Sequence, residues 1–397
     1  MLDAEPAPET EAGAKFWLDA EPWDEAAIPR RPWIVPRYLL RGSISLLIGA
    51  PGAAKSLLAL TWGIALALGE SHEDFAPIAK SRVVICNAED DLDEQRRRIS
   101  AALRQFGAAP ADLGDRLMRL GPVRVATLMR RSVTGGFEKA EAFAELSRTV
   151  AERGVDVLVL DPLVEMHELD ENSNGELRKF IAAIRAFAIE AEIAVVLVHH
   201  VRKGAVIPGD MDAARGASAL IGAVRAAWTL AAMSESDAET FNIPKDRRSY
   251  FARLDDAKAN YGPASAPRWF EKMVIQIANG EALPALVPWS PPVPRAASAE
   301  NCRAMLREIE RGVGGEPFSP KLGPHPRSIR ALLRRHGFAG AAERPALDAL
   351  LEAGAEIAVF RTGGRKTAQG LRHNGAPLAE WMDLRHSHIL LVPIARV

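Results

Sequence analysis

Two cysteines, Cys86 and Cys302, are all that the 397 residues contain. They are too few and too far apart for a disulfide framework, so a reducing cytoplasm is the expected compartment. Charge of one sign is missing as well. A formal net charge of -1 excludes a whole-molecule field that draws in nucleic acid, and any basic surface has to be local. Nor is there a long hydrophobic run: the longest, Leu57 to Gly69, has 13 residues, against the roughly 18 or more that span a bilayer. The acidic N-terminus lacks the charged-then-apolar order of a signal segment. No membrane partner is expected, and the apolar run reads as a buried helix.

A hydrophobic content of 48% allows one large buried core, and length alone points to two or three domains. The two ends carry opposite bias. Met1 to Pro29 holds eight acidic residues against Lys15 alone, whereas Asn301 to Val397 holds fifteen Lys plus Arg against nine Asp plus Glu. Residues 1–29 are expected to be a flexible acidic segment, 30–285 one α/β domain, 286–298 a Pro-rich linker ("PWSPPVPRAAS"), and 299–397 a basic C-terminal domain. "IPRRPWIVP" (Ile28 to Pro36) is too proline-rich for a regular element; it reads as a surface arm on the core or as a segment packing beside a base.

From Ser43 onward β-rich runs alternate with helical stretches. "SISLLIG", "RVVICNAED", "VDVLVLD" and "IAVVLVHH" read as strands. Leu57 to Leu68, Leu92 to Phe106, Glu138 to Glu152 and Glu176 to Glu192 read as helices, and "SNGE" (Ser173 to Glu176) forms a capping box at the start of the last. Continuous apolar strands bounded by helices are what a mostly parallel sheet covered on both faces requires.

The turn out of the first strand, "IGAPGAAKS" (Ile48 to Ser56), fits the phosphate-loop pattern G-x-x-x-x-G-K-[ST] except at Ala54, where the pattern has glycine. Backbone amides at the mouth of the following helix converge on phosphates, which assigns Gly49, Ala50, Pro51, Gly52, Ala53, Ala54, Lys55, Ser56 and Leu57 to a nucleotide site for ATP. Gly49 and Gly52 occupy the bends. Ala54, next to the lysine, is harmless if its φ is already helical and costs about 1 kcal/mol if φ is positive; the helical case is the expectation. Lys55 reaches the terminal phosphates and Ser56 ligates Mg²⁺.

"VDVLVLDP" ends an apolar strand in Asp161, which supports the metal. Pro162 stands where many ATPases carry a catalytic Glu, so a base must come from elsewhere. Glu89, at the end of "RVVICNAEDD", faces the ligand crevice of such a sheet and is the candidate general base; the alternative is that Glu89 and Asp90 cap the next helix. "HHVRKG" (His199 to Gly204) follows another strand end, and one imidazole, with His200 the candidate, senses the γ-phosphate. The polar loop after it carries Arg202, Lys203 and Arg215, suited to phosphates of a single strand or simply solvated.

The ordered set "IPRRPWIVPRYLLRGSISLLIGAPGAAKS", "VVICNAEDDLDEQRRRI", "LVLDPL", "LVHHVRKG", "RGASALIGAVRAAWTL" and "AKANYGP" resembles the RecA-like ATPases of plasmid and phage replicative helicases of the RepA type, more distantly similar to DnaB. The resemblance covers roughly residues 28 to 270. It implies a hexameric ring with ATP between subunits, single-stranded DNA as partner, and a cation from the neighbour completing each site. By motif position it names Arg225 in "GAVRAAW" as the arginine finger and Lys258 in "AKANYGP" as a second cation. Asn260 replaces the arginine of the related Lys-x-Arg pair.

The C-terminal domain lies outside the resemblance. Helical signals at Ala299 to Arg311, Pro326 to His336 and Pro345 to Gly354, followed by "IAVFRTGGRKTAQGL", suggest a winged helix. Arg327, Arg330, Arg334 and Arg335 fall on one helix, and Arg361, Arg365, Lys366 and Arg372 on the ribbon. DNA phosphates and a protein partner, such as a replication-initiation factor, are both open for them. The functions expected are a DNA helicase or translocase or, alternatively, a DNA-binding ATPase regulator, loader or recombinase-like accessory protein.

Overall fold

The structure, a computed structural model, describes residues 22–122, 127–132, 136–169, 173–201, 218–292, 297–314, 316–361 and 367–374. The chain divides into two units, 1–32 and 33–397. In the first, the described residues include a single 3₁₀ turn, Glu25–Ala27, whose start is capped by the Asp24 carboxylate accepting from the Ala26 N–H at 2.9 Å. The remainder concerns the second unit.

Its strands are β1 (Trp33–Val35), β2 (Leu39–Leu40), β3 (Ser43–Gly49), β4 (Val83–Asn87), β5 (Leu117–Leu120), β6 (Met129–Arg131), β7 (Phe137–Lys139), β8 (Val157–Asp161), β9 (Ala194–His200), β10 (Ala226–Ala232), β11 (Phe251–Ala259), β12 (Arg268–Gln276), β13 (Ala282–Trp289), β14 (Ala355–Arg361) and β15 (Thr367–His373). Its helices are α1 (Lys55–Leu68), α2 (Leu92–Leu103), α3 (Glu141–Arg153), α4 (Asn174–Glu190), α5 (Ser218–Ala223), α6 (Glu235–Thr240), α7 (Ala299–Arg311), α8 (Ile329–Arg335) and α9 (Glu343–Glu352). None of the described helices is long and apolar enough to cross a membrane.

Among the described residues, nine strands make the central sheet in the order β13-β12-β11-β10-β3-β9-β8-β4-β5. From β10 to β5 every pairing is parallel; β11, β12 and β13 extend the sheet antiparallel. The expected mostly parallel α/β sheet is therefore present, with an antiparallel wing that the sequence reading did not resolve. The pleat sends successive residues to opposite faces: Leu47 packs on the side of α1 and α2, while Ile44, Leu46 and Ile48 join the core on the side of α3, α4 and α5. Helix α1 is apolar around its whole circumference and is almost entirely buried, as such a helix must be. Ser173 caps α4 as expected, its Oγ accepting from the Glu176 N–H at 3.4 Å.

Three boundaries need correction. The region from Glu138 opens as strand β7, and the helix begins only at Glu141. The linker expected from residue 286 starts inside β13, which pairs with β12 along its full length to Trp289. Pro288 suggested a linker, yet β13 is the edge strand, where alternate N–H groups face away from the ladder and a proline is tolerated. Arg327 lies outside the helix assigned to it: α8 starts at Ile329 after the Ser328 cap, and Arg327 instead pairs with Glu316.

Beyond Ser298, three helices and the β14–β15 hairpin follow in the expected order around a separate apolar core of Met305, Ile309, Phe318, Leu332, Leu350 and Leu371.

Candidate nucleotide site

Strand β3 delivers its C-terminal end, Gly49, to the loop, and Lys55 begins α1 directly after it. A Cβ at Gly49 would collide with the Leu230 carbonyl oxygen on β10 and crowd Lys55 Cδ at 3.2 Å, so only glycine fits. Gly52 turns the loop with φ 78°. Ala54 corrects the expectation of helical φ: it sits in the left-handed region at φ 74°, ψ 27°, while its carbonyl accepts the first helical bond, from the Leu58 N–H at 2.9 Å. The loop thus keeps the backbone that the missing glycine would adopt, and the methyl group carries a strain of about 1 kcal/mol.

Lys55 is buried and its Nζ donates to the Ala50 carbonyl at 3.0 Å, across the interior of the loop. Burial lowers its pKa to about 8, against the pull of Asp161 and Glu89 in the other direction. Ser56 Oγ donates to Asp161 Oδ1 at 3.2 Å, joining loop and β8. Burial raises the Asp161 carboxyl to about 7, with Ser56 working against that shift and Glu89 adding to it. An acid buried this deeply gains most from a cation that arrives with the ligand. Ser56 and Asp161 are the residues that could hold one; no cage of three or more His, Cys, Asp or Glu exists among the described residues.

Glu89 stands on the turn after β4, a neighbour of β8. Asn87 shapes that turn, its Oδ1 accepting from the Glu89 and Asp90 N–H groups at 2.8 and 2.7 Å. Helix α2 is capped by Asp91, which accepts from the Glu94 N–H at 2.7 Å, so neither Glu89 nor Asp90 is its N-cap. Asp90 is tied to Arg98 at 2.7 Å. Glu89 remains 52% exposed with Oε1 3.9 Å from His200 Nε2, so it is open to a water in the crevice. Burial lowers the pKa of His200, helped by Lys55; it lowers His199 to about 4, helped by His200. Both imidazoles are neutral at pH 7, and a neutral ring can donate one hydrogen bond without meeting a phosphate as a charge.

Lys55, Ser56, Asp161, Glu89 and His200 therefore converge at the strand ends. Arg225 and Lys258 do not. Arg225 precedes Ala226, the first residue of β10, which pairs with Ser45 near the start of β3, and Lys258 faces Ala227. Both lie toward the opposite end of the strands from Gly49. Arg225 is exposed, and Lys258 Nζ donates to the carbonyls of Ile221 and Gly222 at 2.9 and 3.1 Å. Arg202, Lys203, Arg215, Arg365 and Lys366 lie outside the described residues. In the C-terminal region, Arg330 and Arg334 both bind the buried Glu343 carboxylate, at 2.8 and 3.0 Å.

Residues 7–206, just over half of the chain, match the model of the AAA domain family. The chain belongs to that family of P-loop NTPases. The match contains the loop, Glu89, Asp161 and His200, and stops before β10, so Arg225, Lys258 and the C-terminal helices fall beyond the AAA domain match. Sequence reasoning missed Asn87 as the residue shaping the Glu89 turn; "NAEDD", an Asn directly after an apolar strand, was the available signal. It also missed Lys272 of β12, whose Nζ donates to the Gly52 carbonyl in the loop at 3.2 Å. Lying 220 positions away, this lysine belongs to no local pattern.

Proposed function

We propose that this AAA-domain protein hydrolyses ATP with Mg²⁺ in a ring, a hexamer of the RepA type, and uses the cycle to move on or unwind single-stranded DNA during replication of a plasmid, phage or prophage in the cytoplasm. The observation that carries this reading is the placement of three cations: Lys55 is inside the site, while Arg225 and Lys258 sit toward the other end of the same strands. An in-line attack on a triphosphate gains from a cation on the leaving charge, and an arginine at that end can supply it only to another subunit.

The loop amides and Lys55 hold the triphosphate, and Glu89 orients and deprotonates the attacking water. His200, beside Glu89, reports whether the terminal phosphate is present to the segment bearing Arg202, Lys203 and Arg215, which follows the DNA strand. When bound through Ser56 and Asp161, Mg²⁺ neutralises charge on the phosphates.

A second reading, an ATPase regulator or loader without unwinding, is favoured by one observation: Arg330 and Arg334 of α8 are engaged by Glu343. In that reading the helices and hairpin after residue 298, taken as a winged helix, dock a replication-initiation protein. ATP turnover with and without single-stranded DNA, together with mass determination with and without nucleotide, tests the main proposal. DNA-stimulated turnover by a nucleotide-dependent ring supports it, and turnover by a monomer indifferent to DNA overturns it. Strand release from forked DNA separates helicase from regulator.

A further inference from the structure

The antiparallel wing of the sheet reaches the phosphate loop through the side chain of Lys272. Lys272 lies on β12 directly after Glu271, which pairs with Phe251, the first residue of β11. There β11 gives way to the turn Lys245–Tyr250, and Lys272 Nζ donates at once to the Ser249 carbonyl in that turn, at 3.3 Å, and to the Gly52 carbonyl, at 3.2 Å.

The second bond matters because of which peptide it fixes. The Gly52 C=O and the Ala53 N–H belong to one planar trans unit and point in opposite directions. With the carbonyl fastened to Lys272, the Ala53 N–H turns the other way, toward the Ala50 carbonyl at 3.1 Å, the same oxygen that receives Lys55 Nζ. Ala53 N–H and Lys55 Nζ thus meet on one acceptor, as two donors aimed at one place do. Gly52 has φ 78° and no atom within 4 Å of where its Cβ would be, so no neighbouring side chain packs on the Gly52 side of this peptide. Burial lowers the Lys272 pKa.

We propose that Lys272 is a positioning residue for phosphate binding: from outside the loop it holds the Gly52–Ala53 peptide so that the Ala53 N–H faces the phosphates, and it ties the loop to the Lys245–Tyr250 turn. The proposal rests on the nucleotide site described above. It assigns the antiparallel wing, which follows the matched AAA segment, a part in setting nucleotide affinity.

The test uses the full chain, with ADP binding followed by calorimetry and ATP turnover in parallel. Lys272→Ala should weaken ADP about tenfold, the value of one charge-assisted hydrogen bond, and raise KM for ATP by a similar factor while kcat at saturation stays within about twofold. Lys272→Gln keeps an N–H donor and should recover most of the affinity. The melting temperatures of both variants should stay near that of the wild type. ADP binding by Lys272→Ala at wild-type strength overturns the proposal. So does a Lys272→Gln variant no better than Lys272→Ala, or an affinity loss that follows a fall in melting temperature. A wild-type chain that binds neither ADP nor ATP removes the nucleotide reading itself, and this proposal with it.

Discussion

The phosphate loop and helix α8 each concentrate positive charge, and they use it in opposite ways. At the loop, Lys55 is buried but its nitrogen rests on a neutral backbone oxygen, the Ala50 carbonyl. Along α8, Arg330 and Arg334 are more exposed, yet both are bound to one buried carboxylate, Glu343. A buried cation whose nearest acceptor is a carbonyl is poised to exchange it for an anion. A cation already satisfied by a carboxylate has to break that pair first, and the buried acid left behind is costly. The number of arginines on a helix therefore says less about ligand binding than what each one already touches.

Removing the loop cation should give the largest effect. Lys55→Ala is expected to lower ATP affinity and turnover by at least about a hundredfold, since a charged donor to the phosphates is lost. Circular dichroism should show an intact fold, because Lys55 has no buried carboxylate as its hydrogen-bonding partner. A modest loss, below about fivefold, would remove the contrast between the two regions.

The same operation on α8 should act on stability. Arg330→Ala combined with Arg334→Ala strands Glu343 inside the C-terminal core and should cost about 2 kcal/mol in denaturant unfolding of that region. DNA affinity, measured at fixed salt, should fall in proportion to unfolding and recover when Glu343→Gln is added. A loss of DNA binding without loss of stability would show that these arginines leave Glu343 for phosphates, and would restore the sequence-based assignment.

What the sequence disclosed, and what it did not, follows the same line. Strands β3, β4, β8 and β9 and helix α1 were legible because apolar periodicity and the glycine bends are local. So were Lys55, Ser56, Asp161 and the Glu89 turn, each within a few residues of a strand end. The wing of β11 to β13 was not: its residues alternate only partly, and the prolines from Pro288 onward resemble a linker until one knows that β13 is an edge. Pairing of Arg330 and Arg334 with Glu343 depends on how α8 meets α9, which no local pattern encodes. Lys272 at Gly52 is the extreme case.

The buried acid at the end of β8 adds a dependence on pH. With its pKa at about 7, Asp161 holds a proton in the folded chain over the range from about 4 to 7, where the unfolded chain has released it. Its contribution is therefore fully present at low pH and is lost as pH rises through 7. Denaturant unfolding of the nucleotide-free protein should fall by at least about 1 kcal/mol between pH 5 and pH 7.5 from this group, and Asp161→Asn should flatten that part of the profile. Mg²⁺ with nucleotide should do the same, by favouring the carboxylate. A profile unchanged by Asp161→Asn would mean that the acid is ionised throughout.

Ala54→Gly should be the smallest effect and decides whether the loop's one departure from pattern has a consequence. At φ 74° alanine is strained by about 1 kcal/mol, and glycine relieves that but gains about 0.4–1 kcal/mol of freedom in the unfolded chain. The two nearly cancel, so stability should rise by less than about 1 kcal/mol. Turnover should change by no more than about threefold, because the methyl group does not alter the backbone that presents the amides. A large rise in turnover would mean that alanine holds the loop away from its working shape, and the protein would then be a nucleotide binder whose hydrolysis is restrained at this single position.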